Sequence, residues 1–201
     1  MSALAETRWP AVAATTDIAE DREEAVWISR ACSGDESAFG WLLSRYRGRA
    51  VRLAAHVLRR PDEAEDAAQE AFIRAFRSIR SFRGQGRFYT WLYHIVVRVC
   101  LDRKRLARWS AEVSHEESML FRTSHDPREA SDARLAVESL MDRLSAPMRA
   151  ALVLRELEGM EYEEIAQVLE IPIGTVRSRL NTARAQFREL WHSADSEAKN
   201  V

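Results

Sequence analysis

The 201 residues carry 30 Lys+Arg against 31 Asp+Glu, so the net charge of −1 says little until the charges are placed along the chain. A hydrophobic content of 46% suffices for real cores in one or two domains, and no apolar stretch approaches the length that would insert into a membrane. Seven Gly, five Pro and few alternating stretches argue for an all-α chain, while Cys32 and Cys100 lack CxxC or Cys/His spacing and point to neither a metal site nor a disulfide.

In chain order, residues 1–24 are acidic, lack a signal-peptide core and read as a flexible N-terminal extension of a cytoplasmic protein. Residues 25–106 form a first helical unit. Within it, PDEAEDAAQEAFIRAFRSIRSF (61–82) starts on a proline suited to a first helical turn. Ala64, Ala67, Ala68, Ala71, Phe72, Ala75, Phe76 and Ile79 keep an i, i+3, i+4 rhythm and predict a core face. Acids come early and Arg74, Arg77 and Arg80 late, an order that complements the helix dipole. The dipole leaves Ile73 unexplained. With Asp66, Gln69 and Glu70 it makes a second stripe, which reads either as solvated surface or as a docking patch for a basic partner helix.

From Ala71 to Leu101 there is no Asp or Glu, and six arginines interleave with Phe72, Phe76, Phe82, Phe88, Tyr89, Trp91 and Tyr93. Arginines for phosphates and rings for bases are what single-stranded nucleic acid needs. A packed aromatic core with solvated arginines is the competing reading. The loop FRGQGRF (82–88) contributes Phe82, Arg83, Gln85, Arg87 and Phe88, and its glycines allow close approach of a backbone. The following helix predicts a core stripe of Leu92, Ile95, Val96 and Val99, with Trp91, His94, Arg98 and Arg105 on another face.

Residues 107–131 show no period and read as a linker, and 132–192 as a second helical unit followed by a tail, 193–201. In EYEEIAQVLEIPIGTVRSRLNTAR (161–184), Tyr162, Ile165, Ala166 and Leu169 share one face of a first helix. Val176, Leu180, Ala183, Phe187 and Leu190 share one face of a second. The short IPIG bend makes this a helix-turn-helix. Thr175, Arg177, Ser178, Asn181, Arg184 and Arg188 are then donors for base edges or phosphates in a major groove. An ordinary helical hairpin with a solvated arginine face fits the same spacing.

GDESAF (34–39), DEAEDAAQEAFIRAF (62–76), FRGQGRFYTWLYHI (82–95), DRKR (102–105) and EYEEIAQVLEIPIGTVRSRL (161–180) together resemble the bacterial RNA polymerase sigma factors of the extracytoplasmic-function (ECF) group. The resemblance spans roughly residues 25–192. It implies region 2 over 25–106 and region 4 over 132–192. It implies that Asp66, Gln69, Glu70 and Ile73 dock on core polymerase and that Phe82–Phe88 capture a flipped base of the −10 element. It further implies that Tyr89, Trp91, Arg98, Arg103 and Arg105 line the melted region, and that Arg177, Ser178 and Asn181 read the −35 element. Core RNA polymerase, promoter DNA and an anti-sigma factor are the implied partners. Arg98 and Thr182 depart from the family's usual Asn and Arg, which bears on the promoter sequence. No cofactor, metal or catalytic motif is expected. A stand-alone helix-turn-helix regulator is the main alternative. A nuclease using Asp62, Glu63, Glu65 and Asp66 is a remote one, since those acids spread around their helix.

Overall fold

The computed structural model describes residues 18–82, 84, 86–114, 137, 139 and 141–198, and these contain helices and no strand. Helix α1 (Ile18–Cys32) leads through a turn to α2 (Glu36–Leu58). Asp35 caps α2, its carboxylate accepting the Ala38 N–H at 3.1 Å and the Arg30 guanidinium at 2.9 Å. Those bonds, the Ala38 one foremost, hold its carboxyl below the usual range. Arg59 ends α2 in the left-handed region at φ 57°, and Pro61 opens α3 (Pro61–Ser78) at the position where a missing N–H costs nothing. A 3₁₀ turn (Ile79–Ser81) follows, then the loop, where Gly84 (φ 68°) and Gly86 (φ 100°) adopt the left-handed backbone that favours glycine. Helix α4 (Phe88–Ser114) continues into the segment expected as linker, and α1 begins inside the expected N-terminal extension. Residues 115–131 of the expected linker lie outside the described residues.

In the second half the described residues 137, 139 and 141–143 are helical, and α5 (Ala146–Glu156), α6 (Tyr162–Leu169) and α7 (Ile173–Ala198) follow, the last running on into the segment expected as tail. Helix α6 starts with a capping box, Glu164 accepting the Glu161 N–H at 3.0 Å. It ends on Glu170, left-handed at φ 51°. The Pro172 carbonyl then accepts the N–H groups of Thr175 and Val176 and starts α7. The bend thus turns on Glu170, and Gly174 sits within the first turn of α7.

Leu42, Leu53, Val57, Ala67, Ala71, Leu92 and Val96 are buried in the first half, and Leu154, Met160, Ile165, Val176 and Leu180 in the second. They belong to one continuous buried cluster, with α5 packed on α2 and α6 on α4. Each fully buried large side chain contributes about 1.5–3 kcal/mol. An exposed ion pair adds only about 0–1 kcal/mol, so the apolar stripes position the helices. Among the described residues Phe76 departs furthest from the expected core: it is 45% exposed, its ring lying edge-on against Phe39 at 5.1 Å, while Ile95, Tyr162, Ala166, Leu169 and Phe187 are half-buried. Helix α3 gives way to the 3₁₀ turn just beyond it, and Ile79 takes the buried place.

Candidate nucleic-acid interface

Three faces carry the residues singled out in the sequence. On α3, Asp66 and Gln69 are exposed and Ile73 is 46% exposed, off the alanine stripe that holds the helix to the core. Glu70 differs from its neighbours. Arg103 of α4 donates to it at 2.8 Å and Arg74 at 2.5 Å, and these bonds hold its carboxyl below the usual range. Glu70, expected to face polymerase, and Arg103, expected to face DNA, are therefore partners that clasp α3 to α4.

The second face begins in the loop, where Arg83 and Gln85 lie outside the described residues. Phe88 is 4% exposed and belongs to the core, so it is unavailable for stacking on a base. Its ring meets Tyr46, Phe82 and Trp91 at 5.4–5.6 Å. Phe82 and Trp91 are half-buried on the outer side of this cluster, 5.4 Å apart. Arg87 is exposed and donates to the Tyr89 hydroxyl at 3.3 Å, while Arg98 and Arg105 are exposed further along, each near Asp102. Thr90 Oγ1 is buried without a hydrogen-bond partner among the described residues. It lies in a recess lined by Arg87 just before α4, Trp91 and His94 of α4 and Gln167 of α6. An unmet hydroxyl of this kind costs about 1–3 kcal/mol.

Acids of the second half reach this face, a contact that no periodicity or motif indicates. The Tyr89 hydroxyl donates to Glu164 at 2.5 Å and the Tyr93 hydroxyl to Glu158 at 2.7 Å, and burial pushes both phenols up. Arg98 donates to Glu170 at 3.2 Å, and His94 Nε2 lies 3.4 Å from the same carboxylate. Arg149 of α5, 6% exposed, donates to the carbonyls of Met141 and Leu144 and to that of Val57 at the end of α2. Burial lowers its guanidinium to about 10, so it stays cationic at neutral pH, where a cation suits a helix C-terminus. A signal existed for Arg149, which lies in an otherwise apolar run of α5.

The third face is the outward side of α7. Arg177, Ser178 and Asn181 are exposed, and Ser178 donates to the Thr175 carbonyl at 3.0 Å. Thr175 is half-buried. Arg184 is held by Glu156 of α5 at 2.6 Å, so it fixes α7 on α5 in place of reaching outward. Arg188 is exposed and bonds the Arg184 carbonyl at 3.3 Å. Thr182 is exposed beside Asn181. Among the described residues no cluster of His, Cys, Asp and Glu could hold a metal ion, and no helix is long and apolar enough to cross a membrane.

Two family models match the chain, Sigma-70 region 2 over residues 42–110 and Sigma-70, region 4 over residues 134–187. The RNA polymerase sigma-H factor of Pseudomonas aeruginosa is 36% identical, the match covering 78% of this chain and 88% of that protein. The ECF RNA polymerase sigma-E factor of Escherichia coli K12 is 35% identical, with 83% and 93% covered. Among solved structures, CnrH in complex with the cytosolic domain of CnrY matches with a TM-score of 0.63 at 27% identity, covering 85% of this chain and 97% of that one. With both sigma regions in order and relatives of this closeness across most of its length, the chain belongs to the RNA polymerase sigma factors of the ECF group.

Proposed function

We propose that this sigma factor docks on core RNA polymerase through Asp66, Gln69 and Ile73 of α3 and reads the −35 element with Arg177, Ser178 and Asn181 of α7. Phe82, Arg87, Tyr89, Trp91, Arg98 and Arg105 hold the melted −10 element. Residues 25–106 then serve as region 2 and 132–192 as region 4. The observation that carries this reading is the pair of exposed faces of different chemistry on one chain: an apolar residue among acids on α3, and cations with polar donors on α7. The orphaned Thr90 hydroxyl beside Arg87, Trp91 and His94 supports a base-binding role for the start of α4.

Each half alone binds DNA weakly. On the polymerase both act on one promoter, and the second contact becomes intramolecular. Opening a base costs a few kcal/mol, which stacking of about 1–3 kcal/mol per base offsets. The phosphodiester chemistry belongs to the polymerase, the factor needs no cofactor, and it works in the cytoplasm. By likeness to CnrH, which was solved with a cytosolic domain bound, an anti-sigma factor is a further partner. Transcription in vitro with core polymerase on a promoter library tests the whole reading. Transcripts should require both proteins and select −35 and −10 sequences, whereas promoter binding that needs no polymerase and selects a palindrome would overturn it.

A further inference from the structure

Helix α2 carries a stripe that neither the docking face nor the −35 face uses. Arg45, Arg49, Arg52 and His56 recur at spacings of four, three and four. They line one side of the helix over about 16 Å, off the side on which Leu42, Tyr46, Leu53 and Val57 are buried. Arg45 and Arg47 have acids to meet, Glu24 at 3.3 Å and Glu65. Arg49 and Arg52 are exposed and pair with no acid among the described residues. Like charges one turn apart repel and weaken a helix. Gly48 stands beside them, exposed in the helix interior, where glycine is a poor helix former. A β-carbon there would meet only the far end of Arg52, its Nη1 at 3.4 Å, so packing does not demand glycine. Unpaired arginines on a helix surface kept bare suit the close approach of an anionic chain.

The stripe adjoins the start of α4. Tyr46, between Arg45 and Arg49, sets its ring against Phe88 at 5.4 Å, and Phe88 meets Trp91 at the same distance. Burial pushes the Tyr93 phenol up, and the Arg49 charge acts on it in the opposite sense, so Arg49 lies near Tyr93. Trp41 precedes Arg45 by one turn, and the Arg45 guanidinium lies 5.4 Å from its ring centroid. Cations with aromatic rings alongside suit a single strand more than an acidic protein surface, because arginines hold phosphates and rings take bases. DNA upstream of the −10 element is still paired when opening begins there. The single strand that continues past this element therefore runs downstream.

We propose that the α2 stripe, through Arg49, Arg52 and the bare helix surface at Gly48, holds the phosphates of the melted strand immediately downstream of the −10 element. Its length of about 16 Å matches about five nucleotides at about 3.4 Å each. This rests on the −10 assignment made above and extends it onto a second helix. The contacts are independent of base sequence and fix the path of the strand.

The test uses holoenzyme assembled from the full chain and core polymerase, with two fluorescent non-template strands of a promoter it transcribes. One strand ends with the −10 element and the other continues about five nucleotides downstream, the length the stripe spans. Arg49→Ala with Arg52→Ala should weaken binding of the long strand about tenfold and leave the short strand unaffected. The salt slope for the long strand should fall by about 1.4, the value for two phosphates of a single strand. Arg49→Lys with Arg52→Lys should restore most of the loss, because a phosphate needs the charge. Gly48→Ala should raise the melting temperature by about 2–4 °C, as alanine does in an exposed helix interior, yet weaken the long strand about threefold. A merely structural role would move stability and binding together. Equal weakening of both strands, or an unchanged salt slope, overturns the proposal. Weaker competition for core polymerase by the double alanine variant overturns it too, since the stripe would then face the enzyme. Failure of the −10 assignment reads differently: the natural holoenzyme would then bind the short strand no better than a strand of scrambled sequence.

Discussion

Phe72 and Ile73 are adjacent on α3, yet Phe72 is buried and Ile73 is 46% exposed. Phe72→Ala should therefore cost about 3–5 kcal/mol in chemical denaturation. Ile73→Asp should leave stability within about 0.5 kcal/mol while weakening competition for core polymerase. Full competition by Ile73→Asp would remove that residue from the docking surface. Phe88→Ala belongs with Phe72→Ala, since its ring is enclosed by Tyr46, Phe82 and Trp91. Helical spacing told Phe72 from Ile73 because a stripe of alanines defines the buried side. It could not place Phe76 or Phe88. Phe76 lies where the helix changes to a 3₁₀ turn, and Phe88 lies in a stretch whose composition suits a core and a base-stacking surface equally.

At the level of elements, the α3–α4 clasp and the α7 surface make separate predictions. Glu70 has its carboxyl lowered in the folded chain by Arg103 and Arg74. Its contribution is complete above the unfolded carboxylate range, near pH 4.3, and is lost as pH falls through the lower folded value. Glu70→Gln should lower the melting temperature at pH 7 and narrow the gap to the natural chain as the pH approaches 3. A constant gap would show that the clasp carries no charge contribution. On α7, Arg177→Ala should change which −35 base pairs a selection recovers. Arg188→Ala should weaken binding evenly and reduce the salt slope by about one. Unchanged base preference for Arg177→Ala would exclude direct readout by that residue. The two helices of the bend were legible from their apolar spacing and the proline between them. The left-handed Glu170 was not, because glycine is the usual signal for that conformation. The role of Arg184 was equally hidden, since a cation on an outward stripe looks the same whether it meets a phosphate or Glu156.

Across the whole molecule, each half was legible as a helical unit because its contacts repeat within a few turns. Their packing was not legible. Tyr93 and Glu158 are 65 residues apart, Tyr89 and Glu164 are 75 apart, and Arg149 and Val57 are 92 apart. Contacts at such separations leave no period to read. The division of labour between duplex recruitment and strand opening also belongs to this scale, because it needs both halves on one DNA. Trp91 braces the aromatic cluster, so its removal would mix folding with function, whereas Arg87 and Arg98 are exposed and separate the two. The most direct measurement is permanganate reactivity of unpaired thymines in holoenzyme carrying Arg87→Ala with Arg98→Ala, on a linear promoter and on one with a pre-opened −10 bubble. Closed-complex formation should stay near normal, reactivity on the linear template should fall steeply, and the bubble should restore much of the transcription. Equal failure on both templates, with fold and polymerase binding intact, would contradict a role in melting.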